Sequence, residues 1–181
     1  MVEFTLRAQR PALVSGYDNE IHVMAKLIAP QVPDKPQRRK SLNLSIVIDR
    51  SGSMDGVPLE EAKKCAAMII ESLNEEDRVS IVTYHDHVDI VVPSTLAINK
   101  RDILSAIRKI NSAGLTALHA GWLAGAEQVA QFKTSNSINR VLLLSDGAAN
   151  VGLTEINDIS IQCSELAETG VTTSTYGLGR H

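Results

Sequence analysis

Aromatic side chains make up only 3% of the 181 residues, so the sequence lacks the stacking platforms on which single-stranded nucleic acids usually rest. It also lacks an excess of positive charge. The formal net charge is −3, which offers no electrostatic footprint for a polyanion. Cysteine occurs only at Cys65 and Cys163, on segments whose spacing predicts amphipathic helices. These two read as small core residues and not as a disulfide framework. No run approaches the roughly 18 apolar residues that a membrane-crossing helix needs. The opening Met1-Val2-Glu3-Phe4-Thr5 has neither the basic nor the apolar region of a secretory signal. The expectation is a soluble chain with no nucleic-acid partner and no membrane insertion, with a cytoplasmic location favoured. Catalytic signatures are missing too. There is no Gly-x-Ser-x-Gly elbow, no Walker-type phosphate loop, and Gly177-Leu178-Gly179 is too short for a dinucleotide fingerprint.

What is present suits one globular domain with a short accessory segment. Hydrophobic residues are 44% and charged residues 22%, and a chain of this length buries a core without metal or disulfide staples. The first stretch alternates: Val2, Phe4, Leu6 and Ala8 share one face, as do Ile21, Val23, Ala25 and Leu27. Gly16-Tyr17-Asp18-Asn19 between them is turn chemistry, so a β-hairpin is expected. Pro30 to Lys40 carries three prolines and the run Arg38-Arg39-Lys40, and reads as a linker with a solvated basic surface. Residues 1–40 are thus expected to form a strand pair plus linker, and residues 41–181 the main domain.

From Leu42 the pattern changes. Leu42 to Ile48 is the nearly continuous apolar run of a strand covered on both faces. A helix is expected through Ala62, Cys65, Ala66, Ile69, Ile70 and Leu73. Arg78 to Tyr84 and Val88 to Val92 are separated by so few residues that a tight antiparallel hairpin must join them. Helical stripes follow at Ile103 to Ile110 and from Leu118 through Val129. Then come the strand Val141 to Leu144, a helix through Ile156, Ile159, Cys163 and Leu166, and a strand from Val171 to Leu178. Strands alternating with helices predict an α/β, Rossmann-like doubly wound fold. Its mostly parallel sheet would carry one antiparallel edge strand, with helices on its flanks.

Ligands in such sheets gather beyond the carboxyl ends of the strands. Two buried strands end there in aspartate, one running into Asp49-Arg50-Ser51-Gly52-Ser53, the other into Ser145-Asp146-Gly147. Gly114-Leu115-Thr116-Ala117 opens a helix, with Thr116 placed as its N-cap. Three hydroxyls and two carboxylates suit a hard cation, which takes oxygen ligands and, for Mg²⁺, keeps part of its water shell. If hydroxyls and water dominate the inner shell the ion stays electrophilic, and an open position favours an acidic oxygen from a partner.

Asp49-Arg50-Ser51-Gly52-Ser53 resembles the Asp-x-Ser-x-Ser pattern of the metal-ion-dependent adhesion site of von Willebrand factor type A domains. Thr116 resembles that family's separate threonine, and Asp146-Gly147 its final aspartate; the match runs from about Leu42 to Gly179. The resemblance implies a complete metal site of Asp49, Ser51, Ser53, Thr116 and Asp146. Mg²⁺ is the expected ion, although Mn²⁺ and Ca²⁺ accept the same oxygens. It also implies a non-catalytic module that docks an Asp or Glu carboxylate of a protein partner. Ala117 departs from the polar residue many relatives carry after the threonine. The chain ends where relatives continue into another helix and often a strand, so a domain lacking those elements is expected. In some multidomain relatives, strands flanking the domain form a β-sandwich. With partner strands missing, the first hairpin is expected to pack on the domain or to support weak self-association.

Other signals carry less. His85-Asp86-His87 with Asp89 lacks a convergent third ligand and reads as surface turn residues, and His119 as a helix residue on the rim of the site. The rival to a binding module is a Mg²⁺-dependent phosphohydrolase or phosphotransfer enzyme, since a metal beside an aspartate also serves phosphoryl transfer. Serines where such enzymes more often carry carboxylates, and no Lys placed for a phosphate, weigh against it. A third reading is an assembly role within a larger protein.

Overall fold

The computed structural model describes residues 3–10, 12, 14–18, 20–29, 39–147 and 151–178. Expectations that touch Val2, Asn19, residues 30–38 of the linker and the terminal residues 179–181 lie outside them. The chain divides into two compact units, residues 1–39 and 40–181.

In the first unit, alternation produces a hairpin. Strands β1 (Glu3–Ala8) and β2 (Val23–Ile28) pair antiparallel, with Phe4 opposite Leu27, Leu6 opposite Ala25 and Ala8 opposite Val23. That register gathers the apolar residues on one face, and Phe4, Leu6, Val23 and Leu27 are all exposed. Ile21, expected in the second strand, precedes it.

The second unit runs β3 (Ser41–Asp49), a single 3-10 turn (Gly52–Met54), α1 (Val57–Ser72), β4 (Arg78–Tyr84) and β5 (Val88–Leu96). It continues with α2 (Lys100–Arg108), α3 (Leu118–Ala130), β6 (Ser137–Ser145), α4 (Ile156–Glu168) and β7 (Thr172–Gly177). The five strands form one sheet in the order β5-β4-β3-β6-β7. All neighbours are parallel except β4 and β5, so the expected antiparallel strand lies at one edge. The parallel register brings the carboxyl ends of β3, β4, β6 and β7 to one side of the sheet, where the aspartate-bearing loops leave it.

Strand β3 sits at the centre because both of its faces are apolar or small. Leu44, Ile46 and Ile48 pack with Leu59, Ala62, Ala66 and Ile70 of α1 and Ile103 and Ile107 of α2. Val47 faces the other layer with Val82, Tyr84, Trp122, Ala126 and Val129. Burying each such aliphatic side chain is worth about 1.5–3 kcal/mol. Two glycines let α3 approach the sheet. A Cβ on Gly121 would stand 2.4 Å from Tyr84 Cδ1, and one on Gly125 would stand 2.3 Å from Val47 Cγ2.

The remaining helix departs from expectation. Ile156 begins α4 but is 78% exposed, and no residue of that helix is fully buried. Only Cys163 and Leu166 of its stripe pack on the core. Both cysteines are free and half-buried, and of the two only Cys163 packs against the core. Among the described residues no helix is long and apolar enough to cross a membrane.

The close approach of α3 generates a test. Gly125→Ala is expected to destabilise the fold by about 1–3 kcal/mol through overpacking against Val47. Guanidinium unfolding would read it, and an unchanged midpoint would mean that α3 shifts without cost.

Candidate metal centre

Asp49 ends β3, beside Tyr84 in the register, and is completely buried. A buried carboxylate must be matched by donors, and three converge on it. Its Oδ1 accepts the Ser51 N–H at 2.9 Å. Its Oδ2 accepts the Tyr84 hydroxyl at 3.1 Å and the Ser145 hydroxyl at 2.8 Å. Ser145 in turn accepts the Gly147 N–H at 3.0 Å. The last residue of β6 therefore binds Asp49 and shapes the turn after Asp146.

The chain after Asp49 turns tightly. Ser51 is buried and Ser53 exposed, yet their hydroxyl oxygens lie 3.2 Å apart. Two adjacent ligands of an octahedral ion at 2.0–2.1 Å stand about 3 Å apart, so this spacing suits one cation between them. The Gly52 N–H donates to the Gly114 carbonyl at 3.0 Å, and the Ala113 N–H donates to the Arg50 carbonyl at 2.7 Å. These bonds join the Asp49 loop to the loop carrying Thr116. Gly114 has a φ of +68°, a conformation that favours glycine.

Thr116 is buried, but it is not the helix cap expected from its position. The N-cap of α3 is Ala117, with φ −88° and ψ 62°, and no side chain caps the helix. The Thr116 carbonyl accepts the Val151 N–H at 3.2 Å. Val151, beyond β6, is thereby tied to the loop carrying Thr116. Asp146 is half-buried, and among the described residues its Oδ1 is buried with no hydrogen-bond partner. Leaving such an oxygen unpaired costs about 1–3 kcal/mol, more when it is charged, and a cation would satisfy it.

Electrostatics ties the two carboxylates together. The Tyr84 phenol is held well above its ordinary value, first by burial and next by the charge of Asp49, with a smaller push from Asp146. Both aspartates thus disfavour ionisation of the same hydroxyl. Neither Tyr84 nor Ser145 stood out in the sequence, although each directly precedes a loop of the site.

The histidines take other contacts. The His85 side chain is only 13% exposed, not a surface turn residue. Its ring lies 5.6 Å from that of His87. Among the described residues no group of three or more His, Cys, Asp or Glu is placed to hold a metal ion. His119 Nε2 lies 2.8 Å from Gln162 Oε1, between α3 and α4.

The raised phenol implies a sign. The folded protein keeps this proton where the unfolded chain releases it, so stability is full below the ordinary value of 10.0 and declines as pH rises above it. Urea unfolding at a series of alkaline pH values should show a shallower decline for Tyr84→Phe than for the wild type. Equal slopes would remove Tyr84 as the cause.

Comparison with known proteins agrees with this fold. Residues 43–181 match the von Willebrand factor type A domain. An uncharacterized protein of Synechocystis sp. is 34% identical over 149 residues, 82% of this chain and 34% of that protein. YfbK of Escherichia coli is 31% identical over 175 residues, 95% of this chain and 30% of that protein. The chain thus spans about a third of the length of these relatives. A von Willebrand factor type A structure from Catenulispora acidiphila superposes with a TM-score of 0.63 at 21% identity, over 96% of this chain and 40% of that one. That likeness is one of fold. With the matched region running from the central strand β3 onward, this chain belongs to the von Willebrand factor type A domain family.

Proposed function

We propose that this domain is a non-catalytic interaction module that holds one divalent cation, Mg²⁺, with Asp49, Ser51, Ser53, Thr116 and Asp146, and that it docks an acidic side chain of a protein partner there. The observation that carries this reading is the buried Oδ1 of Asp146, unpartnered among the described residues, on the same strand-end edge as the paired hydroxyls of Ser51 and Ser53. The family, whose members generally serve as protein-interaction modules, supports it. In this reading Ser51, Ser53 and Thr116 offer neutral hydroxyl ligands, while the two aspartates supply the balancing charge. Asp49 already accepts three hydrogen bonds, so its main work is to fix the Ser51 backbone and anchor the site from below. A bound ion ligated chiefly by hydroxyls and water would remain electrophilic toward a further carboxylate. Phosphoryl transfer is the less favoured reading, because the loops that converge here offer serine and threonine hydroxyls where such chemistry would call for more charge.

Calorimetric titration of chelator-stripped protein with Mg²⁺ and Mn²⁺ tests the site. One ion per chain is expected, with binding abolished in an Asp49→Ala, Asp146→Ala double variant. A stripped protein that takes up no ion, even with an acidic peptide added, would defeat the proposal.

The exposed apolar face of the β1–β2 hairpin supports a second contact, weak pairing with another copy of the chain. An isolated two-stranded hairpin is marginal in water, and an apolar face gains by being covered. Light scattering at rising concentration should show mass increasing toward a dimer, and less so for a Phe4→Ser, Leu27→Ser variant. A strict monomer throughout would exclude the pairing.

A further inference from the structure

The turn between β4 and β5, His85-Asp86-His87, binds the backbone on both sides of Thr116. The Asp86 carboxylate accepts the Leu115 N–H, and the His85 carbonyl accepts the Ala117 N–H at 2.9 Å. There is no slack between turn and loop. A Cβ on Gly114 would stand 2.5 Å from Asp86 Oδ1 and 2.8 Å from His85 Nδ1.

Just beyond the turn, the same stretch of chain reaches the other half of the site. Asp89 Oδ2 pairs with the Arg50 guanidinium at 2.9 Å, and Arg50 stands between Asp49 and Ser51. The other arm of that guanidinium donates to the Asn111 carbonyl at 3.2 Å, and the Arg50 N–H donates to the Tyr84 carbonyl at 3.0 Å. His85 lies between the two carboxylates, 4.0 Å from each. The bonds around Arg50 and those around Thr116 therefore fix the two loops to one support.

From this bracket we infer that Asp86 is a positioning residue for the metal site: it ligates nothing, but sets where Thr116 stands relative to Ser51 and Ser53. The inference rests on the proposed metal reading. Two features of the bracket favour it over a general structural role. Asp86 is itself 45% exposed in its side chain, so it contributes little to the core. Its bond to the loop falls on the residue directly before Thr116, where a change in the chain path is passed on at once. Groups that orient metal ligands typically alter affinity by 10–100-fold when removed.

The test is a Mg²⁺ and Mn²⁺ titration of the whole chain and four variants: Thr116→Ala, Asp86→Ala, Asp86→Asn, and the Thr116→Ala, Asp86→Ala pair. Asp86→Ala should weaken binding at least tenfold, while Asp86→Asn, whose amide oxygen still accepts the Leu115 N–H, should stay within about threefold of wild type. The paired variant should bind no more weakly than Thr116→Ala alone, because an unused threonine has no position to lose. Losses that simply multiply, or an Asp86→Ala variant that binds as wild type, would overturn the inference. If Thr116→Ala itself left affinity unchanged, the metal assignment would fail first, and this one with it. A measurement independent of any variant is amide exchange in the wild-type protein. Slow exchange at Leu115 and Ala117 is expected, and rapid exchange at both would show that the turn does not hold the loop.

Discussion

A carboxylate with no access to water, placed at the end of the central strand, is the constraint around which this domain is arranged. Asp49 is held by a backbone N–H from the loop that follows it, a phenol from β4 and a hydroxyl from β6. Those donors come from three different strand ends, so the charge is solvated only when β3, β4 and β6 are in their native register. The site and the sheet therefore support each other. The register that hides Asp49 from solvent is the one that presents Ser51, Ser53 and Asp146 along one edge. Burial, and next the charge of Asp49, keep the Tyr84 hydroxyl protonated, since ionising it there would add a second negative charge beside the first.

Much of this was legible in the residues. The apolar run before Asp49 and the one before Asp146 named the two strands whose ends meet, and the short gap between Tyr84 and Val88 named the antiparallel edge. Local pattern suffices there, because a strand buried on both faces leaves a continuous signature. It does not suffice where a side chain's role depends on what another segment brings to it. Tyr84 and Ser145 look like ordinary strand residues until the sheet sets them beside Asp49. Thr116 reads as a helix cap because a hydroxyl before a helix commonly is one, yet the helix starts a residue later and the Thr116 carbonyl is drawn to Val151 instead. His85 reads as surface because it lies in a turn, and is largely covered because that turn folds against Gly114. Ile156 reads as part of a buried stripe but stands in solvent, since helical spacing tells which residues share a face and not how closely that face is covered.

Small residues do much of the positioning. Gly121 leaves room for the Tyr84 ring, and Gly125 lets α3 rest on Val47. The helix behind the site can thus lie close to the sheet without displacing the phenol that holds Asp49. Gly114 plays a different part, adopting a left-handed conformation against the β4–β5 turn with no space for a side chain. Packing of the core and geometry of the loops meet at these few positions.

The loops around the site are joined largely through their main chains: Gly52 to Gly114, Ala113 to Arg50, Ala117 to His85, and Val151 to Thr116. Bonds of that kind do not read side-chain identity. Leu115 is 56% exposed in the middle of this frame, so its side chain can be exchanged without undoing any of those links. Under the proposed docking role, the surface offered to a partner is then free to diverge between descendants of this domain while the framework beneath stays put. New binding preferences could arise there by single substitutions, with no cost to the fold that carries them.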